Sequence, residues 1–144
     1  MNNQATRHRE KVASVLSGHT FSHQINAAQR AFSHFENGSR AVVIAAEMQS
    51  GKSGIALALS CLQRNSLSDS DLCDRRKLKD TLYLVTMADL ALLEQAKSDF
   101  AACPNMVVSN FTNFRFTLAS EFKHQQPRLI IIDECHYGTH QDGV

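Results

Sequence analysis

A chain of 144 residues, 43% hydrophobic and 20% charged, can bury one core and has ordinary globular proportions. A formal charge of +1 excludes the strongly basic balance that would by itself argue for nucleic acid. No apolar run approaches the ~20 residues that span a bilayer, and the polar start MNNQATRHRE does not read as a signal peptide.

In chain order, Val12, Val15 and Leu16 sit at helical spacing and predict a helix over 7–17, with Gly18 as its stop. Ile25, Ala28, Phe32 and Phe35 share one face of a second helix over 23–36, ended by Gly38. AVVIAA (41–46) is a short apolar run rich in β-branched residues, read as a strand buried on both faces. A helix over 54–63 follows, then a polar stretch over 64–80 expected to be a solvated loop. TLYLVT (81–86) reads as a strand, and Thr86-x-x-Asp89 resembles a capping box opening a helix over 88–100. MVVSN (106–110) reads as a third strand, 114–124 as a weaker helix, and LIIID (129–133) as the clearest strand of all. Strands alternating with helices imply an α/β domain of parallel βαβ units, whose ligands bind at the carboxyl ends of the strands.

Two stretches at such ends carry chemistry. AAEMQSGKSG (45–54) joins an apolar run to a helix and contains Gly51-Lys52-Ser53. Backbone N–H groups at such a turn converge with the helix dipole into an anion site. Lys52 would add charge for β- and γ-phosphates, Ser53 a hydroxyl for Mg²⁺, and Gly51 a backbone angle costly for other residues. Ala46 stands where the usual pattern has its first glycine, and a small residue costs little there. The second stretch, LIIIDECH (129–136), ends an apolar strand in two carboxylates. Asp133 would bind Mg²⁺, through water, and Glu134 would polarise an attacking water. With two strand–helix units between them, these parts predict a RecA-like ATP-binding core, taking ATP and Mg²⁺.

The sequence here resembles the first motor domain of superfamily-two helicases and translocases, the DEAD/DEAH-box-like group, over roughly 20–136. AEMQSGKS (46–53) resembles motif I, so that Gln49 and Ser50 join Gly51, Lys52 and Ser53 as cofactor-binding candidates. DECH (133–136) matches a DExH-type motif II, in which His136 would relay the nucleotide state to a second motor domain. VTMADLALLEQAKSDF (85–100) resembles motif Ia, with Thr86 and Gln95 at the motif positions. FSHQINAAQRAF (21–32) resembles the Q-containing helix ahead of motif I, making Gln24 the adenine reader. A primary amide can both donate to and accept from the adenine edge, where guanine presents a mismatch. Phe21 is read as a core residue, with base stacking as the alternative.

The resemblance implies ATP hydrolysis coupled to movement on nucleic acid, DNA rather than RNA, with catalysis assigned to Glu134 and Lys52. Nucleic-acid contacts are expected near Thr86, Ser109, Asn110 and Thr112; the basic run Arg75-Arg76-Lys77-Lys79 reads as a solvated face or a phosphate contact. Residues 1–20 are read as a helical extension and 21–144 as a partial motor domain. No serine-alanine-threonine motif or second motor domain follows DECH, so weak ATP binding and negligible turnover are expected of this stretch. An arginine finger, worth ~10³–10⁵ in rate, has no place in it. Alternatives are the ATPase part of a nuclease or terminase-like motor, or a non-catalytic nucleotide-fold module whose sheet edge pairs with another chain. Cys61, Cys73, Cys103 and Cys135 include no C-x-x-C pair and suit free thiols in a reducing cytoplasm. Cys135, His136 and His140 lack a fourth ligand for zinc.

Overall fold

A computed structural model describes residues 3–45, 51–86 and 90–133. Three five-residue strands form its sheet: β1 (Thr81–Val85), β2 (Met106–Asn110) and β3 (Leu129–Asp133). The order is β2-β1-β3 and both ladders are parallel, as the strand–helix alternation predicts. Register pairs Val85 with Asn110 on one side and with Asp133 on the other. The three carboxyl ends therefore finish level. β1 is buried at every position because it has a neighbour on each side and helices on both faces.

Side chains alternate across the sheet. Tyr83 and Val85 face a core built with Ala56, Leu57 and Cys61 of α3 (Lys52–Asn65) and Leu93 and Ala96 of α5 (Leu90–Asp99). Leu82 and Leu84 face the other way, onto Phe122 and the half-buried Leu118 of α6 (Phe114–Glu121). The amino-terminal helices α1 (Asn3–His19) and α2 (Ser22–Glu36) lie on the α3 side. Val12, Val15 and Leu16 of α1 pack against the first core, while Ala28 and Ala31 of α2 meet Ile55, Ala58 and Leu59 of α3 in a second. Arg9 fixes α1 to the far end of α3, donating to the carbonyls of Asn65 at 2.7 Å and Leu67 at 2.9 Å and pairing with Asp69.

Three expectations need correction. The apolar run at 41–45 forms no strand: it belongs to no ladder among the described residues, and Val43 is 93% exposed. Composition favoured a strand there, but a strand also needs a hydrogen-bonding neighbour, and a cleft separates this segment from β3. The polar stretch at 64–80 is not a solvated loop. It folds into α4 (Asp69–Cys73) and a single 3₁₀ turn (Arg75–Lys77), and it buries Leu72, Arg64 and Asp80. Arg64 donates to Asp80 at 3.2 Å and to the carbonyls of Leu72 and Leu78, so each buried charge is answered. Asp80 also accepts from Thr81 and Asn105 and its carbonyl receives Arg128 and Leu129, tying the starts of all three strands together. Finally, Phe21 is not a core residue. It is 70% exposed, with His23 stacked alongside at 6.1 Å.

Candidate nucleotide site at the strand carboxyl ends

The site begins with Gly51, the residue before α3. Its φ of +76° and ψ of +57° are left-handed, a conformation glycine adopts without the strain a Cβ would bring. The expectation that this glycine takes a costly angle is therefore met. Its carbonyl accepts from Gly54 N at 2.9 Å and Ile55 N at 3.3 Å, which starts the helix and leaves Lys52 as its first residue. α3 thus presents its amino end, and the partial positive charge of its dipole, on the side of the strands' carboxyl ends.

Lys52 and Asp133 line one cleft, of about 520 Å³, together with residues 40–45 and Tyr83. That volume lies within the roughly 300–1,000 Å³ typical of small-molecule sites. Asp133 reaches it by register: it pairs with Val85, so it shares the α3 face with Tyr83 two residues earlier. The Tyr83 hydroxyl donates to Asp133 Oδ2 at 2.8 Å, and Thr86 Oγ1 donates to the Asp133 carbonyl at 2.8 Å. Both bonds hold the end of β3 against the end of β1 and fix where the carboxylate points.

Ser53 goes elsewhere. Its hydroxyl donates to Asp99 Oδ2 at 3.1 Å, and Asp99 also accepts from Gln95 at 2.9 Å. Ser53, Gln95 and Asp99 therefore form one chain linking α3 to α5. Gln24 is buried and occupied at both ends of its amide. Its Oε1 accepts from Phe21 N at 2.8 Å and its Nε2 donates to the Gly51 carbonyl at 3.0 Å. The amide lies in a notch that exists because Gly51 and Gly54 have no Cβ; one added at either would overlap it. Gln24 thus joins the start of α2 to the start of α3.

Of the expected nucleic-acid residues, Thr86, Ser109 and Asn110 are engaged within the chain, while Thr112 is exposed. Ser109 Oγ shares a hydrogen bond with Thr117 Oγ1 at 2.8 Å, and Asn110 Oδ1 accepts from Asn113 N at 2.9 Å. Of the basic run, Arg76 pairs with Asp74, Lys77 with Asp71 at 3.1 Å, and Lys79 with Glu121. These pairs offset the charge a phosphate backbone would meet. Ala46, Gln49, Ser50, Asp89, Glu134, Cys135, His136 and His140 lie outside the described residues. Among the described residues no three His, Cys, Asp or Glu side chains converge as a metal centre, and no helix is long and apolar enough to cross a membrane.

Sequence reasoning missed Tyr83 and Asp99. Asp99 stands four residues after Gln95, a spacing that places the two on one helical face. Tyr83 carried no signal, because its role depends on the β1–β3 register. What the fold defines is an α/β protein with a three-stranded parallel sheet flanked by helices. No protein-family model, curated protein or solved structure matches the chain.

Proposed function

We propose that the chain is the ATP-binding part of a RecA-like, superfamily-two type motor acting on nucleic acid, DNA in preference to RNA. The observation that carries this reading is the joint placement of Lys52, at the amino end of α3 behind left-handed Gly51, and Asp133 in one cleft at the strand carboxyl ends. A cation and a helix terminus suit phosphates, and a carboxylate suits a hydrated divalent ion, so the donors present fit Mg-ATP. Lys52 would hold the β- and γ-phosphates. Asp133, oriented by Tyr83 and Thr86, would face the metal's water shell. Bound Mg²⁺ would supply charge neutralisation for phosphoryl transfer.

Two roles change in this reading. Ser53 becomes a metal ligand only by giving up Asp99, so its hydroxyl would exchange one acceptor for another on binding. Gln24 reads adenine only by leaving the Gly51 carbonyl or the Phe21 amide; as it stands, it positions the phosphate-binding turn.

Calorimetry with a non-hydrolysable ATP analogue and Mg²⁺, comparing wild type with Lys52→Ala, tests the reading. Loss of a charge-assisted phosphate contact should weaken binding by about 1.5–3 kcal/mol, roughly ten- to a hundredfold. Equal affinities in the two proteins would overturn it.

A further inference from the structure

Two halves of a strand pair stand unmatched on this chain. β3 ends the sheet on one side, and among the described residues no ladder uses its outer edge. Ile130 and Ile132 of that strand are exposed. Residues 41–45 are the converse, a run of two alanines, two valines and an isoleucine with strand composition and no ladder. Val43 and Ile44 within it are exposed. Both halves face one slot, since the cleft of about 520 Å³ is lined by every residue of 40–45 and every residue of 129–133. The slot keeps the two apart within one chain and leaves space beside β3 for a strand from elsewhere.

We propose that this strand comes from a second copy of the chain: residues 40–44 of each copy add antiparallel to β3 of the other, giving a two-fold dimer with one continuous sheet. The pairing involves β3 and residues 40–44 alone and goes beyond the nucleotide proposed for the amino end of α3. Reciprocity follows from the slot. A segment entering the neighbour's slot brings its own slot with it, and the neighbour's segment fills that one in turn. The order across the joint is β3, the second copy's segment, the first copy's segment, then the second copy's β3. No open edge remains between the copies.

Side-chain direction and charge fix the register. Val42 packs into the α2–α3 core that Leu129 and Ile131 also join, whereas Val43 is exposed. Val42 therefore belongs on the α3 face of the sheet, with Leu129, Ile131 and Asp133, and Val43 on the other face with Ile130 and Ile132. A slip of one residue would exchange these two sets. Antiparallel pairing then sets Ile44 opposite Leu129, Val43 opposite Ile130, Val42 opposite Ile131 and Arg40 opposite Asp133. Among the described residues Arg40 makes no ion pair, and this register gives it a carboxylate. A parallel segment with the same alternation would instead bring Arg40 to the Leu129 end, beside Arg128. Opposite charges across a pair stabilise and like charges destabilise, so charge selects the antiparallel direction. In the dimer, arginine rather than a hydrated metal answers Asp133, so the dimer and a metal–nucleotide form are alternatives.

Sedimentation velocity of the full chain over a range of concentrations tests the pairing. Wild type is expected to pass from monomer to dimer. Val43→Asp, and separately the Ile130→Lys, Ile132→Lys double variant, should each raise the dimer dissociation constant about tenfold or more, because each spoils both joints. An equimolar mixture of the two variants sets the intact residues 40–44 of one against the intact β3 of the other. A heterodimer with one sound joint should then return. Val43 is exposed, so its substitution should leave the thermal midpoint of the monomer unchanged. Three results would overturn the proposal: a wild type that stays monomeric at its highest soluble concentration, dimerisation unaffected by Val43→Asp, or a mixture that forms no heterodimer. The second of these would move the joint to β3 against β3 or to another surface. If the lysine variant fails to fold, Val43→Asp against wild type decides.

Discussion

At the scale of single residues, the buried Gln24 amide is the most consequential side chain near the candidate site. Gly54 is the third residue of α3, where alanine would ordinarily gain up to ~1 kcal/mol of helix propensity. Here a Cβ would overlap the Gln24 amide and displace it from Phe21 N and the Gly51 carbonyl. Losing those bonds in a buried place costs about 1–3 kcal/mol, which exceeds the propensity gain. Gly54→Ala is therefore expected to destabilise wild type and to stabilise a Gln24→Ala background. Urea midpoints of the four proteins in this double-mutant cycle give the sign directly, and equal effects in both backgrounds would refute the contact. The local part of this was legible: the left-handed glycine and the lysine behind it follow from the Gly-Lys-Ser turn that opens a helix. The tether was not, because Gln24 and Gly51 are 27 positions apart and nothing in either neighbourhood announces the other. Ser53 was likewise assigned by motif position, whereas its hydroxyl meets Asp99, 46 residues on.

At the scale of elements, the three strands that pair were read at nearly their observed bounds, since each is built on three or four consecutive apolar residues. Residues 41–45 have the same composition and failed the same reading for want of a ladder, a property of the neighbour rather than of the segment. The charged stretch at 64–80 misled in the opposite direction. Its charges answer one another, in the buried Arg64–Asp80 pair and on the surface of α4. Asp71 shows the consequence for acid stability. The hydrogen bond from Lys77, then the charges of Lys77 and Arg128, hold its carboxyl below its ordinary value of 3.8. A carboxyl depressed in the folded state contributes stability above the unfolded value and loses it as pH falls through the folded one. The difference in urea midpoint between wild type and Asp71→Asn should thus be full at pH 6 and shrink below about pH 4. A difference that stays constant to pH 3 would remove Asp71 from the acid response.

At the scale of the whole molecule, the sheet is finished unevenly. α6 covers β1 and β2, but Ile130 and Ile132 of β3 remain 52% and 49% exposed, and among the described residues nothing pairs with the outer edge of β3. An apolar open edge invites strand pairing between chains. Self-association is expected to grow with concentration in light scattering and to fall in an Ile130→Lys, Ile132→Lys double variant; unchanged association would place the contact elsewhere. The all-parallel topology also governs how the chain reaches this state. Among the described residues no hairpin nucleates the sheet, so β1 must wait for Met106, 25 positions beyond Thr81, and then for Leu129, 48 positions beyond it. Loop closure favours the nearer partner only slightly, by about half a kcal/mol for a doubling of length. Helix α5, packed on β1 and β2 between them, is what makes the first closure productive. Assembly should therefore run from the β1–α5–β2 unit outward, with β3 docking last. Asp133, carried at the tip of β3, arrives with that final step, so the opposing halves of the candidate site meet only when folding is complete.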